Sequence, residues 1–284
     1  MRVAFCSMLC RRTQSMLPGI HRRGYATTLP LSGHIAWVIG GVGTMGAGIA
    51  HGLIRAGATV IVNSRHPERL ERLSEELDHP ENLVTVASSM LSDQAEKTVA
   101  TVMEMTGHRL DHVAAHGGVN WWSRDGGDES ATLVARYASL LHAPANDYAQ
   151  ASSALGGFHH SAAQALIPHL REQGSYTFVT SAASGAWGAR SSVSQVNAHG
   201  LIGLAAALCS EAADDKWNIR VGELRLGDGL RLNRSASERE SDPRHRPLSR
   251  DVGAVVAGMA AGKSDGGCVA AADVFELEML KTRY

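Results

Sequence analysis

The chain has 284 residues, 44% of them hydrophobic and 19% charged, with 30 glycines and 14 histidines. That length can bury a full core, and one large α/β domain is the natural expectation. The 27 Lys and Arg against 28 Asp and Glu leave a net charge of -1, so no field of one sign argues for nucleic acid. No apolar run reaches the roughly 18 residues needed to span a bilayer, so no transmembrane segment is expected.

The charge is unevenly placed along the chain. Arg2, Arg11, Arg12, Arg22, Arg23, Arg55 and Arg65 all precede the first acidic residue, Glu68. An acid-free start bearing Arg, Ser and Thr has the composition of a mitochondrial transit peptide. Arg23-Gly24-Tyr25-Ala26-Thr27 places an Arg just upstream of an aromatic and a small residue, as a matrix-protease site does. A disordered basic tail is the plainer alternative. Removal of residues 1–25 takes five arginines away, so 22 basic residues would face 28 acidic ones at a charge of -6. Cys209 and Cys268 then remain, too few and too far apart in sequence for a disulfide framework or a zinc motif. A reducing mitochondrial location, in the matrix or facing it, fits that usage.

Residues 30–284 read as one domain. His34 to Ile39 is a short apolar run of the kind that forms a buried parallel strand. It meets Gly40-Gly41-Val42-Gly43-Thr44-Met45-Gly46, and Ile49, Ala50, Leu53 and Ile54 then recur at helical spacing as far as Gly57. Ala58 to Val62 reads as the next strand. Strand, glycine turn, helix and strand together form a βαβ unit. Its glycines permit a tight turn and let backbone N–H groups approach a pyrophosphate at the helix N-terminus. A turn that only packs helix on strand is the plainer reading. At the end of the second strand an NAD-binding protein usually carries an acid that holds the ribose 2′-hydroxyl. Here stand Asn63, Ser64 and Arg65. A guanidinium pairs with a 2′-phosphate, so NADP(H) is favoured over NAD(H).

Further strands are expected near 83–87, 111–115, 175–181, 219–224 and 268–272, joined by helical segments. This is the alternation of a doubly wound parallel sheet, a Rossmann fold of about seven strands. Residues 226–249, rich in Arg, Ser, Asp and Pro, show no periodicity and read as a flexible loop.

Several segments carry a resemblance. The glycine turn and Asn63-Ser64-Arg65, Leu110 to Val113 before a glycine pair, Ala165 to Leu170, the strand Tyr176 to Ser181, Gly200 to Leu204, and Ile219 to Val221 follow in order and spacing. Over about residues 34–275 the chain resembles the short-chain dehydrogenase/reductase family. The turn alone is also similar to 3-hydroxyacyl-CoA dehydrogenases, a likeness that stops after it. The resemblance implies a dimer or tetramer, and it makes 226–249 a substrate lid. It also implies a reaction in which a Tyr donates a proton to a carbonyl, a Lys four residues later lowers the Tyr pKa, a Ser holds the carbonyl and an Asn completes a relay.

Aligned residue by residue, Ser181 matches the family Ser, with Ser184 as the other candidate. Ser194 falls at the Tyr position, Ala198 at the Lys position and Leu155 at the Asn position. The family's Asn-Ala-Gly on the fourth strand reads Ala115-His116-Gly117, and its adenine-holding Asp is replaced near Ser89-Met90. The candidate nucleotide residues are therefore Gly40, Gly41, Gly43, Thr44, Met45, Gly46, Asn63, Ser64, Arg65, Ala115 and Gly117. His199 is a candidate substitute acid, although one step past the Lys position turns it about 100° away. His159-His160 lacks a third metal ligand at useful spacing, so no metal is expected. Trp121-Trp122 offers a candidate binding surface, or equally a packing role.

The expectation is a mitochondrial NADP(H)-binding protein of pseudoenzyme type. It would serve as an accessory subunit, as a dehydrogenase-like subunit does in respiratory complex I, either as a homo-oligomer or within a larger complex. The alternatives are an active NADP(H)-dependent oxidoreductase with another proton donor, and an interaction module with an empty nucleotide site.

Overall fold

The computed structural model describes residues 29–91, 94–117, 144–182, 192–214, 217–227, 230, 232–243, 246–264, 266–271 and 273–284. Residues 1–25, Trp121, Trp122 and Ser184 lie outside this set.

Seven parallel strands form one sheet in the order β3-β2-β1-β4-β5-β6-β7. They are β1 (Ile35–Ile39), β2 (Thr59–Ser64), β3 (Leu83–Ala87), β4 (His112–Ala115), β5 (Ser175–Ala182), β6 (Arg220–Gly227) and β7 (Gly267–Ala271). Between them run α1 (Thr44–Arg55), α2 (Pro67–Glu76), α3 (Ala95–Met105), α4 (Ala145–Leu166), α5 (Ser192–Asp214), α6 (Ala236–Ser241) and α7 (Ser249–Gly258), and α8 (Val274–Arg283) follows β7. The doubly wound expectation holds, and the seven expected strands lie within three residues of the observed ends.

A parallel sheet covered on both faces needs strands that are apolar on both sides. On one face Trp37, Ile39, Val113, Ala115, Tyr176 and Phe178 pack under α3, α4 and α5. On the other Ala36, Val38, Val60, Val62, Ala114 and Leu224 pack under α1, α2 and α7. The register Trp37↔Val113↔Tyr176↔Val221 runs one row of side chains across four strands. Strand order reverses between β1 and β4, the place where doubly wound sheets open a ligand crevice at their carboxyl ends.

Helix α1 is held against α7 at backbone distance. A Cβ on Gly48 would sit 2.2 Å from the Ser249 carbonyl, and one on Gly253 would sit 1.9 Å from the Gly48 carbonyl. Among the described residues one helix, α5, is long and apolar enough over Val196–Asp214 to cross a membrane. Asn197, His199, Ser210 and Glu211 interrupt its apolar run. In the fold it packs on α4, β5 and β6.

The stretch 226–249 carries more structure than its composition suggests. It holds the end of β6 and helix α6, whose N-cap Ser235 accepts from the Glu238 N–H at 3.2 Å. Asn233 is buried; its amide donates at 3.0 Å both to Asp242 Oδ2 and to the Arg246 carbonyl. Its own carbonyl accepts from Ser249 N–H at 2.9 Å.

Candidate functional site

The carboxyl ends of β1, β2 and β4 bring most of the predicted residues together. β1 stops at Gly40, whose φ of +76° is the left-handed region that side chains avoid. A Cβ there would also meet the His116 carbonyl oxygen at 1.9 Å. Gly41 is pressed onto Val62, and a Cβ on Gly46 would approach the Gly40 oxygen to 2.2 Å. These three glycines are explained by protein contacts. Gly43 is different: the nearest atom to a Cβ there is the Gly40 oxygen at 3.7 Å. Its outer side is open, and α1 begins at Thr44-Met45 with no side-chain cap and no acid in its first turn. The turn therefore presents N–H groups to which no side chain among the described residues is bonded as a cap, a geometry suited to a phosphate.

At the end of β2 the three predicted residues divide. Asn63 Oδ1 accepts from Trp37 Nε1–H at 3.0 Å, and its amide donates to the Ser88 carbonyl at 3.3 Å. Ser64 Oγ accepts from the His66 N–H at 3.1 Å. Both side chains are buried and occupied in shaping the strand end. Arg65, the cation expected to meet a 2′-phosphate, is exposed.

Ala115 is fully buried in the core, between Ile39 and Phe178 on the neighbouring strands. Gly117 follows with a φ of +66° and open space at its Cα, and its carbonyl accepts from His159 Nε2–H at 2.7 Å. Burial pushes the His159 pKa down to about 4, against the pull of that hydrogen bond. His116 Nδ1–H donates to the Val179 carbonyl at 3.1 Å, and burial again lowers its pKa. Two neutral imidazoles thus brace the loop after β4. His159 is buried whereas the adjacent His160 is exposed, so the two do not converge. Among the described residues no three His, Cys, Asp or Glu side chains come together for a metal.

Ser181 is the second-to-last residue of β5, opposite Leu226 of β6. Ser194 and Ala198 lie four apart on the first turns of α5, and Ala198 is buried. His199 is exposed, so it faces away from the side that Ala198 covers. Leu155 is buried, and its backbone N–H donates to Asn197 Oδ1 at 3.2 Å, a tie between α4 and α5.

One cluster escaped the sequence reading. Glu223 on β6 is 1% exposed, accepts from Thr180 Oγ1–H at 2.5 Å, and is forked by Arg225 at 3.0 and 2.6 Å. Thr180 adjoins Ser181, so this ion pair stiffens the strand end that carries the serine. Glu-x-Arg in an otherwise apolar strand is the signal that could have found it, since residues two apart share a face.

The family model described as short chain dehydrogenase matches residues 34–229. The Pseudomonas aeruginosa RhlG/NADP active-site complex is similar in structure, with 20% identity, a TM-score of 0.68, and 88% of this chain and 98% of that chain covered. A metagenomic short-chain oxidoreductase in complex with NADP has 20% identity and a TM-score of 0.65 over 85% and 97% of the two chains. A dehydrogenase/reductase from Sinorhizobium meliloti 1021 has the same identity and TM-score over 86% and 95%. Among curated proteins none matches. With the family pattern matched over more than half its length, the chain belongs to the short chain dehydrogenase family.

Proposed function

We propose that this protein binds NADP(H) at the carboxyl ends of β1, β2 and β4 and acts as a non-catalytic accessory subunit of a mitochondrial assembly. The observation that carries the nucleotide reading is the pairing of an open-sided Gly43 with an exposed Arg65 at the end of β2. The turn suits a pyrophosphate, and the guanidinium suits a 2′-phosphate. Two structural neighbours are described as NADP complexes, which supports the same ligand here.

Ser194 and Ala198 support the non-catalytic part. A serine hydroxyl and a buried methyl cannot supply the phenol and the cation with which the family protonates its substrate. The acid-free, Arg-bearing start of the chain supports import into mitochondria. A second reading is an NADP(H)-dependent oxidoreductase in which His199 or water is the proton donor.

Mass spectrometry of nucleotides released from the natively purified protein tests the first claim: NADP(H) is expected, and neither NADP nor NAD overturns it. Blue-native separation of mitochondria tests the accessory role, which fails if the protein migrates only as a free small oligomer.

A further inference from the structure

Arg234 reaches from the 226–249 stretch back to the glycine turn. Its position is set by Asn233, which is buried and tied to Asp242 and Arg246, and by its own N–H, which donates to Glu238 Oε2 at 2.6 Å. From there the guanidinium pairs with Glu76 at the end of α2. Nε lies 2.9 and 2.8 Å from the two carboxylate oxygens, and Nη2 lies 2.6 Å from Oε2. Nη2 also donates to the Val42 carbonyl at 3.5 Å. A cation is thus parked one residue from Gly43, on a turn that presents N–H groups and carries no acid of its own.

We infer that Arg234 is a pyrophosphate-binding residue and that Glu76 is its internal competitor. The inference rests on the dinucleotide reading of the turn. Without nucleotide the guanidinium pairs with Glu76, and with nucleotide it turns to the pyrophosphate. The exchange is feasible because both side chains are still about a quarter exposed, at 26% and 27%. Water screens such a pair, whereas a guanidinium fork fits two phosphate oxygens at once. Position separates this role from that of Arg65, which stands at the end of β2 where a ribose phosphate is read, while Arg234 touches the turn itself. The Glu238 carboxylate is engaged by the backbone N–H of Arg234, not by its guanidinium.

Calorimetric titration of the wild type, Glu76→Gln and Arg234→Gln tests the inference with three probes. NADPH carries both phosphate groups, ADP-ribose carries the pyrophosphate alone, and adenosine 2′-monophosphate carries the 2′-phosphate alone. Glu76→Gln should tighten NADPH and ADP-ribose by about 2- to 5-fold, the worth of an exposed ion pair. A gain in affinity cannot come from misfolding. Arg234→Gln should weaken both about 10-fold or more, and adenosine 2′-monophosphate should bind all three proteins alike. Unchanged ADP-ribose affinity in both variants overturns the inference. So does a loss confined to adenosine 2′-monophosphate, which would assign Arg234 to the ribose phosphate. A wild type that binds neither NADPH nor ADP-ribose overturns the dinucleotide reading itself, and this inference with it.

Discussion

The indole of Trp37 donates a 3.0 Å hydrogen bond to Oδ1 of Asn63, joining β1 to the end of β2 inside the core. An amide expected to meet a nucleotide is instead a structural tie. Asn63→Ala leaves the indole N–H buried without an acceptor, at a cost of about 1–3 kcal/mol. Urea unfolding should show that loss, while the ratio of NADPH to NADH affinity stays as in the wild type.

Arg65 should behave in the opposite way. If it pairs with the 2′-phosphate, Arg65→Ala weakens NADPH by about 10-fold or more and leaves NADH nearly unchanged. Equal loss of both nucleotides in fluorescence titration would show that Arg65 does not read that phosphate.

The turn offers a paired comparison. Gly46→Ala drives a methyl to 2.2 Å from the Gly40 carbonyl, so the backbone must shift. A melting temperature lowered by several degrees, or insoluble protein, is expected. Gly43→Ala has 3.7 Å of room within the protein and should melt like the wild type. Its methyl would stand on the open side, so nucleotide affinity should fall. A Gly43→Ala protein that binds NADPH as well as the wild type would mean that no ligand approaches there.

Acid should unfold the protein through its buried histidines. His112 and His159 are both held neutral, with pKa values lowered from 6.5 to about 4. For His112 burial is the main cause, followed by the neighbouring His34, whose Nδ1 lies 2.8 Å from His112 Nε2. For His159 burial is again first. The unfolded chain binds these protons at pH 6.5 and the folded chain does not, so this stability is complete above pH 6.5. It is lost as pH falls toward 4, by roughly 3 kcal/mol for each group. Urea unfolding at pH 7.5, 5.5 and 4.5 should follow that slope, and His112→Gln should flatten it. A variant as steep as the wild type would exclude His112 as a source.

Most of the sheet could be read from runs such as Ala58 to Val62, because buried parallel strands are apolar on both faces. The glycine turn was legible for the same kind of reason, since its residues are consecutive. Partners distant in sequence were not legible. Nothing near Asn63 announces that Trp37 will claim its oxygen, and nothing near Arg234 points to Glu76 or Val42. Glu223 was hidden by a different cause: a lone acid in a strand reads as an exception until Thr180 and Arg225 are seen on either side of it.

The contact of Gly48 with Ser249 and Gly253 has a mechanical consequence. Ser249 ends the stretch that carries Arg234, and it abuts the helix whose first turn carries Thr44 and Met45. With no side chains between them to yield, those two backbones move as one body. The stretch is therefore clamped at its downstream end, where Ser249 meets Gly48. A bulkier residue at 253 would loosen the clamp and shift the turn itself, although it touches neither the turn nor the arginine.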